Sequence, residues 1–272
     1  MKLGMYLRNM GPQSTRATVV ECARTAEAAG LDDIWVADHI AIPPDDAEGS
    51  GGRYLDPLAT LAFLAGATSR IGLGTGVLVL PYRPPLVTAK WVATIQELSD
   101  GRLLLGVGVG WMDAEFRAVG ALRSQRGKLT DATLEFLHRC FASDEVETNG
   151  QRFLFLPRPP RPPIFVGGAP PHALRRTVRF GDGWILTGAD PEGLLPRIVQ
   201  LREAAAEAGR SMPEVVVIAP LPLDDPPRAT AQVCSLQEIG VTRVIHTWRY
   251  ADSAAFVRAA EVLSSQVRPA LR

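Results

Sequence analysis

The chain has 272 residues, and its 29 basic and 29 acidic side chains give a formal net charge of zero. This balance gives no electrostatic case for binding nucleic acid or an anionic membrane surface. No apolar run in the sequence reaches the roughly 18 residues that a membrane-spanning helix needs. We therefore expect a cytoplasmic protein that acts on a small molecule. We expect no leader peptide, because the first predicted strand begins at the N-terminus.

Composition and cysteine usage favour one intracellular domain. Cys22, Cys140 and Cys234 lie far apart, in predicted helices and without CxxC spacing, which is typical of structural thiols in a reducing compartment. No Ser/Gly-rich linker or block of like charge divides the chain. We therefore expect a single domain over residues 1–272.

Apolar runs alternate with helical stretches along the whole chain. The predicted strands are 2–7, 33–37, 71–79, 103–107, 164–166, 183–187, 214–219 and 242–246. The predicted helices are 17–29, 56–68, 85–98, 112–118 with 128–142, 171–180, 191–208, 228–238 and 253–266. Such alternation predicts a parallel sheet with right-handed crossovers. Eight units match an α/β fold of the (β/α)8 TIM-barrel type, typically ~250 residues long; an open doubly wound sheet is the alternative.

A glycine recurs between a helix and the strand that follows it. The five clearest copies are Gly30, Gly101, Gly181, Gly209 and Gly240. A helix commonly ends with a residue in the left-handed conformation, which glycine adopts without a Cβ clash. We therefore expect a positive φ at all five glycines.

Residues 143–163 form the one irregular stretch. Asn149 and Gly150 lie between two short apolar runs and predict a tight hairpin turn. The prolines that follow predict a stiff arm leading into the fifth strand. We interpret the stretch as an insertion between the fourth and fifth strands, placed either over the pocket or against a partner chain.

The predicted strand ends exclude several kinds of barrel chemistry. No cluster of His and carboxylate residues with metal-ligand spacing occurs there, and Asp38 has no second carboxylate beside it, so a metallohydrolase or a glycosidase is disfavoured. The three lysines, Lys2, Lys90 and Lys128, lie away from strand ends, which disfavours Schiff-base chemistry. A bound organic cofactor remains the best explanation of such a sparse rim.

Two glycine-rich motifs are ambiguous by themselves. VGGAPPHAL at 166–174 either binds a phosphate at a helix N-terminus or only makes a tight strand-to-helix turn. GVGVGW at 106–111 lies within a strand, so a dinucleotide-binding fingerprint is disfavoured. Its alternating glycines leave one side of the strand bare, which leaves room for a flat ring or for another backbone. We favour the ring.

His39 is the histidine best placed for catalysis. Asp38 precedes it, and a neighbouring carboxylate can fix an imidazole tautomer, while imidazole titrates near neutrality. His138 lies within a predicted helix, His172 is near the predicted anion site, and His246 ends the eighth strand. A structural role for His39 remains open on this argument alone.

The motifs in combination resemble those of the bacterial luciferase-like superfamily, and within it those of the deazaflavin (F420)-dependent oxidoreductases. The matching segments are Ala-Asp-His at 37–39, LGTGVLVLPYRPP at 73–85, LSDGRLLLGVGVGW at 98–111, PPIFVGG at 162–168 and FGDGW at 180–184. The resemblance implies a (β/α)8 barrel, usually a homodimer, with a flavin or deazaflavin across its mouth.

The resemblance also assigns roles to individual residues. His39 would be the catalytic acid or base, and Asp38 would contact the polar edge of the ring. The residues it assigns to cofactor binding are Asp38, Gly76, Val77, Val79, Val109, Gly110, Gly167 and Gly168. Among these, Gly76 and Val77 match a non-prolyl cis peptide behind the ring, and Gly167 with Gly168 match the phosphate site. Other barrels usually bind phosphate after strands 7 and 8.

At Trp111 this sequence differs from some members of the family that it resembles. Members that oxidise sugar phosphates carry a glutamate as proton donor just after these glycines, so this reaction is disfavoured here. With His39 as the strong proton donor, the expected reaction is hydride transfer between F420 and an unsaturated small molecule. An FMN-dependent monooxygenase is the alternative, and an F420 carrier or sensor without turnover is a third hypothesis. No metal is expected.

Overall fold

The computed structural model of the protein describes residues 1–271. Its strands, in chain order, are β1 (Lys2–Tyr6), β2 (Asp33–Val36), β3 (Gly72–Thr75), β4 (Leu78–Val79), β5 (Leu103–Gly108), β6 (Glu145–Thr148), β7 (Gln151–Leu154), β8 (Ile164–Gly167), β9 (Gly183–Thr187), β10 (Glu214–Ala219) and β11 (Arg243–His246). Its helices are α1 (Arg16–Ala28), α2 (Pro57–Ala65), α3 (Pro85–Leu98), α4 (Asp113–Ala118), α5 (Arg126–Ala142), α6 (His172–Phe180), α7 (Pro191–Glu207), α8 (Pro226–Glu238) and α9 (Ser253–Val262).

The sheet closes into a parallel barrel. Around the barrel the strands follow the order β1, β2, β3, β5, β8, β9, β10 and β11, and β11 pairs with β1. The pairing of β3 with β5, at Leu73 with Leu103, completes the ring. The (β/α)8 prediction is therefore confirmed, and each predicted strand is found at its expected place. The predicted third strand is divided into β3 and the short β4.

Local sequence explains where several helices begin. Asp56, Asp190, Asp225 and Asp252 each accept a hydrogen bond from a backbone N–H of the first turn with their side chains. A proline follows directly after Asp56, Asp190 and Asp225, where its missing N–H costs nothing. None of the helices in residues 1–271 is both long and apolar enough to cross a membrane.

Four of the five helix-ending glycines behave as predicted. The φ angles are +73° at Gly30, +77° at Gly101, +65° at Gly209 and +100° at Gly240. The prediction for Gly181 is wrong, because its φ is −93° and its ψ is 157°. A Cβ there would lie 3.1 Å from Val166 Cγ2 and 3.2 Å from backbone atoms of Thr177. Close packing against β8 and the last turns of α6, and not a left-handed turn, explains this glycine.

The insertion between the fourth and fifth barrel strands is a hairpin followed by an arm. Strands β6 and β7 pair antiparallel, and Asn149 (φ 51°) and Gly150 (φ 73°) form the turn as predicted. The Phe155 ring is buried 5.9 Å from that of Phe141 on α5, and Gln96 of α3 donates a hydrogen bond to the Pro160 carbonyl. The insertion thus lies against the outer helices α3 and α5.

Large side chains fill the barrel interior below its mouth. Trp35 and Phe165 meet edge to face with ring centroids 5.8 Å apart, and the Arg243 guanidinium lies against both rings. Arg243 forms a buried ion pair with Asp33, which also accepts from the Trp35 indole N–H. These packed side chains fill the interior of the barrel, so the space for a ligand inside it lies at the C-terminal ends of the strands. Barrels of this kind bind their ligands there.

Candidate active site

A cavity of about 380 Å³ opens at the C-terminal ends of the barrel strands. All nine predicted site residues line it: Asp38, His39, Gly76, Val77, Val79, Val109, Gly110, Gly167 and Gly168. Residues that the sequence did not single out complete the wall, and they include Tyr6, Tyr82, Glu115, Ile185 and Ile218. The structure thus brings together segments that lie up to 212 positions apart along the chain, from Tyr6 to Ile218.

A bulge between β3 and β4 forms one wall of this cavity. The peptide bond between Gly76 and Val77 is cis, in agreement with the resemblance. The Tyr6 hydroxyl donates a 2.5 Å hydrogen bond to the Gly76 carbonyl, and the Val79 N–H donates a 2.8 Å hydrogen bond to the Asp38 carboxylate. Contacts from β1 and from the end of β2 therefore fix the bulge at both ends.

The alternating glycines of β5 pack against this bulge, so our preference for a ring in that space is wrong. A Cβ at Gly106 would lie only 1.9 Å from the Thr75 carbonyl oxygen, and one at Gly108 would lie 2.5 Å from Val77 Cγ2. The close approach of another segment, the alternative to a ring, explains these glycines. The Val77 side chain occupies the space and itself faces the cavity.

Asp38 forms a buried ion pair. Arg83 donates hydrogen bonds of 2.6 and 2.8 Å to the two oxygens of its carboxylate, and a third of 2.8 Å to Asp56. Burial opposes the charge of Arg83, but the two carboxylates outweigh it and raise its pKa. Asp38 accepts from the bulge at Val79, and Arg83 links Asp38 to Asp56 at the start of α2. The predicted contact of Asp38 with a cofactor stays a prediction.

Glu115 is a buried carboxylate of this cavity that the sequence motifs do not identify. This carboxylate is 1% exposed and accepts four hydrogen bonds. Its donors are the Ile40 N–H (2.6 Å), the Ala41 N–H (3.1 Å), the Tyr82 hydroxyl (3.0 Å) and Nδ1 of His39 (3.1 Å). Glu115 lies on α4, beyond the end of β5, so a survey of strand ends does not include it.

The charge of Glu115 determines the tautomer of His39. Burial alone would raise the pKa of the Glu115 carboxyl, but hydrogen bonds from Ile40 and Ala41 lower it below its ordinary value. An ionised carboxylate only accepts, so Nδ1 of His39 carries the proton in this network. Nε2 of the neutral ring is then the basic atom. It becomes an acid when the ring is protonated.

Aromatic rings surround the exposed part of His39. The Tyr54 ring centroid lies 4.9 Å from that of His39, and the Trp111 centroid lies 6.1 Å away, edge on. Trp111 is 67% exposed, so it forms the outer rim of the cavity. The surroundings of the imidazole are therefore mostly apolar, apart from Glu115.

A second cavity of about 420 Å³ continues from the first and shares Val109, Gly167 and Gly168 with it. Two arginines, Arg126 and Arg176, line this space together with the first turn of α6. No side chain caps that first turn, and its backbone dipole favours an anion. The geometry therefore suits the anionic tail of a ligand whose head lies in the first cavity.

The other histidines have different surroundings. His246 is 3% exposed, and its Nδ1 accepts a hydrogen bond from the Leu221 N–H. Burial lowers the pKa of His246 to about 4, which keeps the ring neutral. His138 Nε2 contacts the Phe180 carbonyl on the outer layer, and His172 lines the second cavity, where it pairs with Arg175. His39 is therefore the histidine of the first cavity.

The chain is similar to known proteins over nearly its whole length. Residues 1–267 match the family described as luciferase-like monooxygenase. An uncharacterized protein of Mycobacterium tuberculosis (strain H37Rv) is 32% identical over 249 residues, which are 85% of this chain and 84% of that protein.

Two further proteins illustrate the range of relatives. An F420-dependent hydroxymycolic acid dehydrogenase of Mycobacterium tuberculosis is 32% identical over 182 residues, which are 63% of this chain and 49% of that protein. The solved monooxygenase RslO1 of Streptomyces bottropensis superimposes with a TM-score of 0.84 at 20% identity, over 99% of both chains. With its family match over nearly the whole length, the chain belongs to the luciferase-like monooxygenase family.

Proposed function

We propose that this protein is an F420-dependent oxidoreductase that transfers a hydride between the deazaflavin and a small organic substrate. The arrangement of the two connected cavities carries the proposal of a bound redox cofactor, and the dehydrogenase relative favours F420 as that cofactor. A slot with apolar walls and one oriented imidazole leads directly into a cationic space at a helix N-terminus. A planar redox cofactor with a phosphate on its tail requires these two environments in this order.

The residues present fit such a cofactor. Val77, Val79 and Ile218 offer apolar surface for the ring. The backbone of Gly167 and Gly168 and the guanidinium of Arg126 would hold the phosphate. Arg176 lines the same space, but its guanidinium is paired with Asp131. The dipole of α6 adds about 0.3–1 kcal/mol for an exposed anion.

A deazaflavin held by these residues would supply or accept the hydride. His39 would supply or remove the accompanying proton at Nε2. Glu115 accepts a hydrogen bond from Nδ1, so the Nε2 atom of the ring points away from Glu115. Tyr54 and Trp111 exclude water from one side of the imidazole. A single positioned acid or base of this kind contributes about two to four orders of magnitude to the rate.

The relatives support an oxidoreductase and leave the choice of cofactor to experiment. The dehydrogenase relative supports F420. The family description supports the alternative, a monooxygenase, for which FMN is the cofactor that we expect. Both cofactors combine a tricyclic ring with a phosphate, so the two cavities suit either.

Fluorescence titration of the purified protein with F420 and with FMN tests the proposal. We expect F420 to bind more tightly, and bound reduced F420 to be oxidised by an unsaturated acceptor. Preferential binding of FMN would replace the proposal with the monooxygenase alternative. Binding of F420 without turnover for any acceptor would favour a carrier or sensor, and binding of neither cofactor would contradict the proposal altogether.

We further propose that the protein is a single domain that works in the cytoplasm as a homodimer. Cys22 and Cys140 are buried free thiols and Cys234 is half-buried and free, which is consistent with a reducing compartment. The outer surface of α3 and the hairpin β6–β7 carry exposed apolar side chains that a second copy would cover.

A further inference from the structure

A third cavity, of about 260 Å³, adjoins the first on the other side of Tyr6. The ends of β1 and β11 and the loop between β2 and α2 form its walls. In the closed barrel these two strands lie opposite β5 and β8, next to which the proposed phosphate site is found. A cofactor whose tail leaves past β8 therefore does not occupy this third cavity.

Two arginines converge on one glycine in this cavity. Arg8 Nη2 donates a 3.2 Å hydrogen bond to the Gly49 carbonyl. The Arg249 guanidinium carbon lies 3.5 Å from the position that a Cβ on Gly49 would take. The two positive charges are thus held close to each other at the same wall.

The lining of this cavity carries more positive than negative charge. Arg8 is half-buried, and its hydrogen bonds go to the carbonyls of Gly49 and Tyr250. No ion pair of Arg8 or Arg249 with a carboxylate is found in residues 1–271. Glu48 also lines the cavity and is exposed, so the lining carries a net charge of one positive unit. Like charges so placed repel each other, and a bound anion would relieve the repulsion.

We propose that this cavity is the subsite for an acidic group, a carboxylate or a phosphate ester, on the organic substrate. The inference rests on the proposed function, because it assigns the space beside His39 to the substrate. Tyr54 lines this cavity and contacts the His39 ring, so it connects the two spaces. A substrate anchored by Arg8 and Arg249 would direct its reacting carbon past Tyr54 and towards His39.

Binding of simple aromatic acids to the full-length protein tests this subsite without any cofactor. Isothermal titration compares benzoate and phenyl phosphate with benzamide, which is neutral and similar in shape to benzoate. We expect at least one acid to bind more tightly than benzamide, and its affinity to fall as salt is added. The tighter of the two acids indicates which acidic group the substrate carries.

The Arg249→Gln variant identifies the site, because Arg249 is exposed and its loss does not disturb the core. We expect about fivefold weaker binding of the preferred acid, as for the loss of an exposed ion pair, and unchanged binding of benzamide. Arg197→Gln is the matched control, since Arg197 is an exposed arginine on α7. An equal affinity for acids and benzamide, an unchanged acid affinity in Arg249→Gln, or displacement of the bound acid by F420 would each overturn the subsite. Failure of F420 to bind contradicts only the proposed function.

Discussion

Glu115 holds the His39 ring and the loop after β2 in place through its hydrogen bonds. The backbone N–H groups of Ile40 and Ala41 anchor one of its oxygens, and Tyr82 and His39 Nδ1 contact the other. Each group on the second oxygen acts as a donor because the carboxylate is ionised. Glu115 is thus a positioning residue that holds the loop after β2 and selects the tautomer of the imidazole.

Glu115→Gln should reverse this tautomer while it preserves the shape of the site. The amide oxygen can accept from Ile40 and Ala41, but the amide NH2 then faces His39, so Nδ1 must become the acceptor. We expect turnover to fall about 100-fold or more, as for loss of an acid–base group, with the Kd for the cofactor nearly unchanged. The ¹⁵N shifts of the His39 ring measure the tautomer directly.

His39→Ala is the companion variant, with the same expected loss of turnover and retained cofactor binding. The two effects should not add, because both changes remove one function. A His39 tautomer that stays the same in Glu115→Gln would contradict the positioning role. Wild-type turnover in His39→Ala would contradict the catalytic role of the imidazole.

At the scale of the elements, the bulge after β3 and the glycines of β5 form one packed unit. The Thr75 hydroxyl donates a 2.7 Å hydrogen bond to the Gly106 carbonyl, and the Thr75 carbonyl lies where a Gly106 Cβ would be. Val77 packs in the same way over Gly108 and Gly167. The wall of the cavity therefore depends on residues without side chains in the strands behind it.

Gly106→Ala should therefore destabilise the protein and disturb the site together. The added methyl would overlap the Thr75 carbonyl, which is backbone and cannot rotate away. Overpacking in a core costs about 1–3 kcal/mol, and we expect at least this loss in the free energy of unfolding, measured with urea.

Gly66→Ala is the matched control for this prediction. Gly66 ends α2 with a φ of −78°, and the nearest atom to an added Cβ is 3.7 Å away. We expect this variant to unfold at the wild-type urea concentration or slightly above it. Equal stability of the two variants would show that β5 tolerates a side chain at position 106.

The same elements show what a sequence can and cannot specify about local structure. Buried parallel strands are continuous apolar runs, so all eight barrel strands could be located within a few residues. A glycine, in contrast, shows only that a side chain is excluded. Whether a turn, a ligand or a neighbouring strand excludes it depends on partners elsewhere in the chain, and this is why Gly181 and Gly106 were misinterpreted.

For the whole molecule, the barrel topology explains which site residues could be predicted. Parallel strands place all their C-terminal ends at one mouth, so Asp38, His39 and Gly167 could be placed together without coordinates. Glu115 lies on a helix, and its role depends on the direction in which α4 packs. No periodicity in the sequence records that direction.

One outer face of the molecule is unusually apolar. A groove of about 530 Å³ runs between α3 and the hairpin, and it is lined mainly by Leu86, Val87, Trp91, Phe153 and Leu154. Four of its side chains are large, apolar and exposed, among them Trp91 at 41% and Leu154 at 69%. Contiguous apolar surface of this kind is typical of a protein–protein interface. In the proposed homodimer, this face would be covered by its copy.

Trp91→Glu should therefore weaken the dimer strongly. Tryptophans buried in an interface are among the residues that contribute most to the binding free energy. We therefore expect the dissociation constant of the dimer to increase at least tenfold, which corresponds to a loss of about 1.4 kcal/mol of binding free energy. Sedimentation velocity over a range of protein concentrations measures this dissociation constant.

Phe63→Glu is the matched control, since Phe63 is 42% exposed but lies on α2, beside a different groove. A monomeric wild type would contradict the proposed dimer. If the Phe63→Glu dimer dissociates and the Trp91→Glu dimer does not, the interface lies on the α1–α2 side. The added glutamate would then be buried without a partner at position 63 and not at position 91.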